Sequence, residues 1–234
     1  MLGQNKLAHA QAHATAPQHF PRPELTDAAG LIGIGGELST DWLVDAYTHG
    51  IFPWPLSDGL LAWWSPDPRA IFEFDQFQPS RRLQRTVRSD QFQIVQDQNF
   101  TGVLRGCATA QHREGHTWLT EDMQAAYTSL HQLGIAHSVE AWHEGELAGG
   151  VYGLGIGGYF AAESMFYRVR DASKVALVAL VRHLVDRGYQ LLDIQQLTPH
   201  TQRLGASEIP RAQFLERLRA ALPAPVTFNP QQSS

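Results

Sequence analysis

Two short stretches bring polar side chains together if they form strands. In LLDIQ, residues 191–195, a strand sends side chains two apart to the same face, so Asp193 and Gln195 share one face while Leu192 and Ile194 share the other. A carboxylate beside a carboxamide in an otherwise apolar strand needs polar partners. Either neighbouring loops supply them or the pair faces a site. In AAESMF, residues 161–166, the same rule puts Glu163 with Met165. A carboxylate beside a thioether is costly to bury without hydrogen bonds, and it points to a pocket floor rather than a surface.

Two other groups have two readings each. Trp54, Trp63, Trp64 and Trp118 lie near prolines and glycines. They are either core or the aromatic lining of an apolar pocket able to stack a base. Arg81, Arg82, Arg85 and Arg88 crowd into SRRLQRTVR. They form either a solvated helix face or a small local RNA contact.

Several familiar patterns fail. Gly153, Gly155 and Gly158 match GxGxxG, but the segment after them, YFAAESMF, reads as a strand where a dinucleotide fingerprint needs a helix. A tight hairpin or a close backbone approach accounts for these glycines. In HREGH the glutamate is not adjacent to His112 as a zincin requires, and Gly115 breaks the helix that would bring His116 round. His9 and His13 have a ligand-compatible spacing but sit in a polar tract. No GxSxG elbow is present, and the single cysteine, Cys107, forms no internal disulfide and is read as packing.

The elements that would carry these residues follow from periodicity and punctuation. A helix is expected from Thr40 to His49, capped by Thr40 and ended by Gly50. The run GIFPWPLSDGLLAWWSPDPR has too many prolines for a helix and reads as a structured loop or small sheet. Thr120, Glu121 and Asp122 open a second helix with Met123, Tyr127 and Leu130 on one face and Gly134 at its end. HSVEAW, LAGGVYGLG and YFAAESMF follow as an antiparallel meander. A third helix buries Leu177, Leu180, Val181 and Leu184, stops at Gly188 and leads into the strand YQLLDIQ. Helix, three strands, helix, strand is the order of an α/β acyltransferase core.

A mobile leader is expected over residues 1–19, a small N-terminal domain over 20–70, a catalytic domain over 71–226 and a flexible tail over 227–234. With 234 residues and 43% hydrophobic composition the chain can bury a substantial core. No apolar run approaches the roughly 20 residues of a membrane span, and a cytoplasmic address is expected. The net charge of −5 argues against binding long stretches of nucleic acid and leaves room for a local RNA contact.

The segments GIFPW, WWSPDPR, AHSVEAW, GGVYG, ESMF, ASKVAL, LLDIQ and LGASEIPR occur in this order, within a match running from about Gly33 to Leu218. Together they resemble the bacterial leucyl/phenylalanyl-tRNA–protein transferases. The resemblance implies an α/β (α+β) fold, with a small N-terminal domain joined to a GCN5-related N-acetyltransferase-like C-terminal domain. It implies transfer of Leu or Phe, less readily Met, from Leu-tRNA or Phe-tRNA to proteins beginning with Arg or Lys, which marks them for degradation. No metal or organic cofactor is implied. The resemblance assigns the donor pocket to Trp54, Trp118, Val151, Phe160, Glu163, Met165 and Leu192, and proton handling to Asp193 and Gln195. It makes Arg81, Arg85 and Arg88 contacts to the acceptor stem. In this reading Gln195 orients the attacking amine through its amide oxygen and Asp193 helps to accept the proton, since a carboxamide is no base. The alternatives are an acyl-CoA N-acetyltransferase, a cell-wall aminoacyl-tRNA-dependent transferase, or a non-catalytic RNA- or peptide-binding module. Against the first, the third helix is preceded by RVRDASK and not by a Gln/Arg-x-x-Gly-x-Gly pyrophosphate loop.

Overall fold

The computed structural model describes residues 18–56, 59–110 and 117–229. HREGH, His9 and His13 lie outside the described residues. The chain order is β1 (Leu31–Ile34), α1 (Thr40–Thr48), β2 (Phe52–Pro53), β3 (Ala62–Trp64), β4 (Arg69–Phe72), α2 (Arg81–Val87), β5 (Gln93–Gln96), α3 (Phe100–Ala108) and α4 (Glu121–Gln132). It continues through β6 (Ala136–His143), β7 (Glu146–Ile156), β8 (Tyr159–Tyr167), α5 (Ala172–Arg187), β9 (Leu191–Gln195), α6 (Pro199–Gln202), β10 (Ala206–Ile209) and α7 (Arg211–Ala221).

Among the described residues the strands form a three-stranded sheet, β1-β3-β2, and a seven-stranded sheet, β10-β4-β9-β8-β7-β6-β5. In the large sheet only the β8–β9 pair is parallel; the others are antiparallel. The expected succession of helix, three strands, helix and strand is present as α4, β6, β7, β8, α5 and β9. The chain therefore has a mixed α/β architecture, a seven-stranded sheet with helices on its faces preceded by a small N-terminal sheet.

The large sheet separates two apolar clusters. One gathers α1, α3, α4 and α7 through residues such as Tyr47, Val103, Tyr127 and Phe214. The other gathers α5 with Phe160, Leu192 and Phe228. Phe20 and Trp63 of the N-terminal region share the first cluster with Phe214 and Leu215 of α7, so the two sheets lean on a common core. Arg211 ties them further by donating hydrogen bonds to the carbonyls of Thr26, Asp27 and Ser65.

Local signals explain the helix ends. Thr120 caps α4 by accepting from the Met123 amide, and Gly188 closes α5 in the left-handed conformation. The cap of α1 is Ser39, whose hydroxyl accepts from the Trp42 amide; Thr40, expected as the cap, is the first helical residue. The GxGxxG glycines lie in β7 and its turn into β8, as the hairpin reading requires. A Cβ on Gly153 would meet the Ala161 carbonyl oxygen at 2.2 Å and the Phe160 ring at 2.5 Å, so the backbone there must stay bare.

Both ends of the described chain are held more firmly than the sequence suggested. Asp45 accepts from the amides of Gln18 and His19, and the His19 ring stacks on Trp42. At the other end, Thr227–Asn229, placed in the tail by the sequence reading, are packed and hydrogen-bonded. Phe228 is buried against His137 and Phe160, and Arg187, His183 and Asp97 hold its neighbouring polar groups. An aromatic ring with that much apolar surface gains more from burial than a short tail gains from freedom.

Candidate active site

The strands β8 and β9 pair over Tyr159–Leu191, Phe160–Leu192 and Ala161–Asp193. Beyond that point β8 runs on to Tyr167 beside β7, while β9 ends at Gln195 beside β4. Two neighbouring strands thus part, and Glu163 and Gln195 stand on either side of the opening.

Each of them owes its orientation to a bulge. Tyr152 pairs with Ser164 and Gly153 with Ala162, so Glu163 is the extra residue of β8. Ala70 pairs with Gln195 and Ile71 with Asp193, so Ile194 is the extra residue of β9. Gln195 itself adopts a left-handed φ of 58°. Bulges re-aim side chains that regular alternation would send elsewhere. This corrects the face assignment made from period two. Glu163 and Met165 do not share a face: Glu163 hydrogen-bonds Tyr127 of the α4 side, whereas Met165 packs against the α5 cluster.

Gln195 donates from Nε2 to Glu163 Oε1 at 2.9 Å, and the Tyr127 hydroxyl donates to Glu163 Oε2 at 3.0 Å. Tyr47 extends the chain through a hydroxyl–hydroxyl bond to Tyr127 of 2.8 Å. Burial of the Glu163 carboxyl pushes its pKa up to about 8; the tyrosine hydrogen bonds oppose the rise and the Asp193 charge adds to it. Burial, followed by the charge of Glu163, drives the Tyr47 and Tyr127 hydroxyls well above their ordinary range, so they stay protonated. One pH prediction follows. The folded chain keeps a proton on Glu163 that the unfolded chain releases near the ordinary value of 4.5. That contribution to stability is complete below the unfolded value and is lost as pH rises through about 8. Relative to the non-titrating Glu163→Gln variant, the wild type is expected to lose melting temperature steadily from about pH 4.5 to about pH 8 and to level off above that. A constant difference between the two proteins over that range would contradict the shift.

Asp193 is fully buried and receives four donors. Arg69 donates from Nε to Oδ1 at 2.8 Å and from Nη2 to Oδ2 at 2.7 Å. The Tyr159 hydroxyl donates to Oδ2 at 2.8 Å, and the main-chain amide of Gln195 donates to Oδ1 at 2.9 Å. Arg69, also fully buried, lies between the rings of Phe52 and Phe214 and donates to the Gly50 carbonyl at 2.9 Å. Burial alone would lower the Arg69 pKa, but the Asp193 carboxylate outweighs it and holds it above the ordinary guanidinium value. Asp193 and Gln195 are therefore neighbours of a different kind from the side-by-side pair read in the sequence. The carboxylate touches the main chain of Gln195, and the carboxamide turns to Glu163.

The apolar candidates fall into two groups. Phe160 pairs with Leu192 and Val151 with Met165 across adjacent strands, and all four belong to the α5 side. Trp54 and Trp118 stack at 4.7 Å, with Trp54 42% exposed. Arg81, Arg85 and Arg88 are exposed on α2 and in its cap. Arg69, Tyr159, Tyr47 and Tyr127 escaped the sequence reading as site residues. Tyr127 was visible as a core position of α4; nothing local marks a strand arginine as the partner of an aspartate 124 residues away.

Comparison with known proteins decides the family. The sequence model for leucyl/phenylalanyl-tRNA protein transferase matches residues 71–219, and that for the N-terminal domain of the same proteins matches residues 36–67. The chain belongs to the leucyl/phenylalanyl-tRNA–protein transferase family. A leucyl/phenylalanyl-tRNA–protein transferase of Nitrosomonas europaea is 49% identical over 201 residues, covering 85% of each chain. That of Syntrophotalea carbinolica is 46% identical over 213 residues, covering 91% of this chain and 93% of its own. Among solved structures, a GCN5-related N-acetyltransferase-like protein from Streptococcus suis aligns with a TM-score of 0.38 at 12% identity, over 89% of this chain and 96% of its own. An aminoglycoside N-acetyltransferase in complex with CoA aligns with a TM-score of 0.34 at 16% identity, over 54% and 86%. As a member of this family the chain is an aminoacyltransferase whose substrates are an aminoacyl-tRNA and a protein. Among the described residues no helix is long and apolar enough to cross a membrane.

Proposed function

We propose that this transferase moves Leu or Phe, and less readily Met, from its tRNA onto the amino terminus of cytoplasmic proteins that begin with Arg or Lys, marking them for degradation. The observation that carries the reading is the orientation of Gln195 at the β8–β9 opening. Its amide nitrogen is committed to Glu163, and its amide oxygen accepts no hydrogen bond from the described residues. That oxygen is the acceptor an attacking amine requires.

The donor is an activated ester, so the protein's main task is alignment of amine and carbonyl, which contributes on the order of 7–11 kcal/mol in favourable cases. The donor side chain enters between β8 and β9 toward Met165, Val151, Phe160 and Leu192. Burying Leu or Phe there is worth about 1.5–3 kcal/mol and disfavours polar side chains. Trp54 and Trp118 offer aromatic faces to the terminal base.

The proton has a better destination than Asp193. A carboxylate accepts at about four lone-pair positions, and in Asp193 four donors occupy them, so protonation would break a bond to Arg69, Tyr159 or the Gln195 amide. Glu163, at about 8, matches an amino terminus whose pKa is also about 8 and lies one hydrogen bond from the Gln195 amide. We therefore assign proton acceptance to Glu163 in its ionised form, steadied by the hydrogen bond that Tyr127 donates to it, and positioning to Asp193.

Incubation with labelled Phe-tRNA and peptides beginning with Arg, Lys or Ala tests the acceptor choice. Label is expected on the first two and not on the third. Label on none of them, with donor and protein intact, would overturn the proposal.

A further inference from the structure

The chain is acidic overall, yet several of its cations gather around one carboxylate. Asp171, the N-cap of α5, makes no side-chain capping bond to that helix. Its carboxylate instead faces three cations: Arg82 Nη2 at 3.3 Å, Lys174 Nζ at 3.3 Å and Arg170 Nε at 3.9 Å. One carboxylate leaves a surplus of positive charge there. Arg203, exposed at the end of α6, adds to it. Burial first, then the charges of Lys174 and Arg203, depress the pKa of His200, which places both cations near that ring.

Topology puts this cluster at the cleft. Because β8 and β9 are parallel, their C-terminal ends leave the sheet on the same edge. The first runs into Arg168–Asp171 and α5, and the second runs from Gln195 into α6 and Arg203. Arg170, Lys174 and Arg203 thus lie on the segments that follow β8 and β9 out of the sheet, Arg82 reaches the same carboxylate from α2, and Arg81, Arg85 and Arg88 continue the positive surface along that helix. In a protein of net charge −5, such a local concentration is where a polyanion can approach closely.

We propose that Arg82, Arg170, Lys174 and Arg203 form a binding patch for the backbone phosphates of the donor's single-stranded 3′ end. The proposal rests on the transferase reading and names the part of the donor held beside the cleft. It predicts that phosphates next to the reacting nucleotide contribute to affinity through this patch, whereas chemistry on the terminal nucleoside does not need it.

The test titrates uncharged tRNA-Phe into the full chain at several KCl concentrations and reads the slope of log affinity against log salt. Arg170→Gln and Arg203→Gln are each expected to reduce the steepness of that slope by about 0.7, as for one lost single-strand phosphate contact. Arg219→Gln, in an exposed arginine of α7 paired with Glu24, should leave it unchanged. In parallel, transfer to an Arg-initiated peptide is measured with phenylalanyl-adenosine, a donor without phosphates; both variants should match the wild type. Unchanged slopes in Arg170→Gln and Arg203→Gln overturn the patch, as does selective loss of transfer from phenylalanyl-adenosine in these variants. If the slopes fall as expected while no protein transfers from either donor, the patch stands and the transferase reading fails.

Discussion

Exchanging Arg69 for Met should destabilise the fold by about 3–5 kcal/mol, because it strips a fully buried carboxylate of its counter-ion. The change leaves two Asp193 lone pairs without donors in a region lined by Phe52 and Phe214. The measurement is the denaturant midpoint at unchanged slope. Replacing both partners, as Arg69→Met with Asp193→Leu, should recover much of that stability, since an apolar pair of similar volume leaves no orphaned charge. The double variant also separates holding the fold from holding the site. Gln195 would lose the acceptor that fixes its main-chain amide at a left-handed φ, so transfer should stay low even where stability returns. Wild-type transfer by a stable double variant would remove Asp193 from the site altogether.

The sequence carried the elements better than the contacts between them. Thr120, Gly134 and Gly188 marked helix ends because capping is local chemistry, and the glycines of GLGIGG marked the β7–β8 hairpin for the same reason. Period two then put Leu192 and Ile194 on one face correctly, and both pack on the α5 side. It failed at Glu163 and Met165 because it presumes unbroken pairing, and the extra residue in β8 depends on what the neighbouring strand does. The left-handed Gln195 was equally hidden. Glycine would have announced such a backbone, but here Asp193 and the ladder to β4 support it. Arg69 sits in WWSPDPR, whose prolines read as loop. Its strand exists because β9 and β10 flank it on both sides, a partnership set by distant segments. The same distance hid the Arg69–Asp193 pair, so Asp193 was legible as a buried carboxylate while its role was not.

The larger kinetic effect belongs to Gln195. Gln195→Ala is expected to reduce the single-turnover rate of transfer about 100-fold with little change in melting temperature, because orientation of the amine is lost while the carboxylate pair below it stays whole. Affinity for the donor should change far less than the rate. Glu163→Ala should also impair transfer, and two causes need to be told apart. If Glu163 only fixes the Gln195 amide, through the 2.9 Å bond from Nε2, removing it in the Gln195→Ala background costs nothing more. If Glu163 accepts the proton, a second loss appears in that background, and the pH–rate profile of Gln195→Ala has a limb that vanishes when Glu163 is also replaced, leaving only that of the acceptor amine. Our assignment requires the second pattern. Full non-additivity with the limb absent would leave Glu163 as a support for Gln195 and return the proton to the substrates, where the terminal ribose hydroxyl is the nearest candidate. Replacing that hydroxyl with hydrogen in the donor then gives the complementary measurement: a loss confined to proteins lacking Glu163 would identify it as the alternative route, whereas an equal loss in every variant would make it part of the main one.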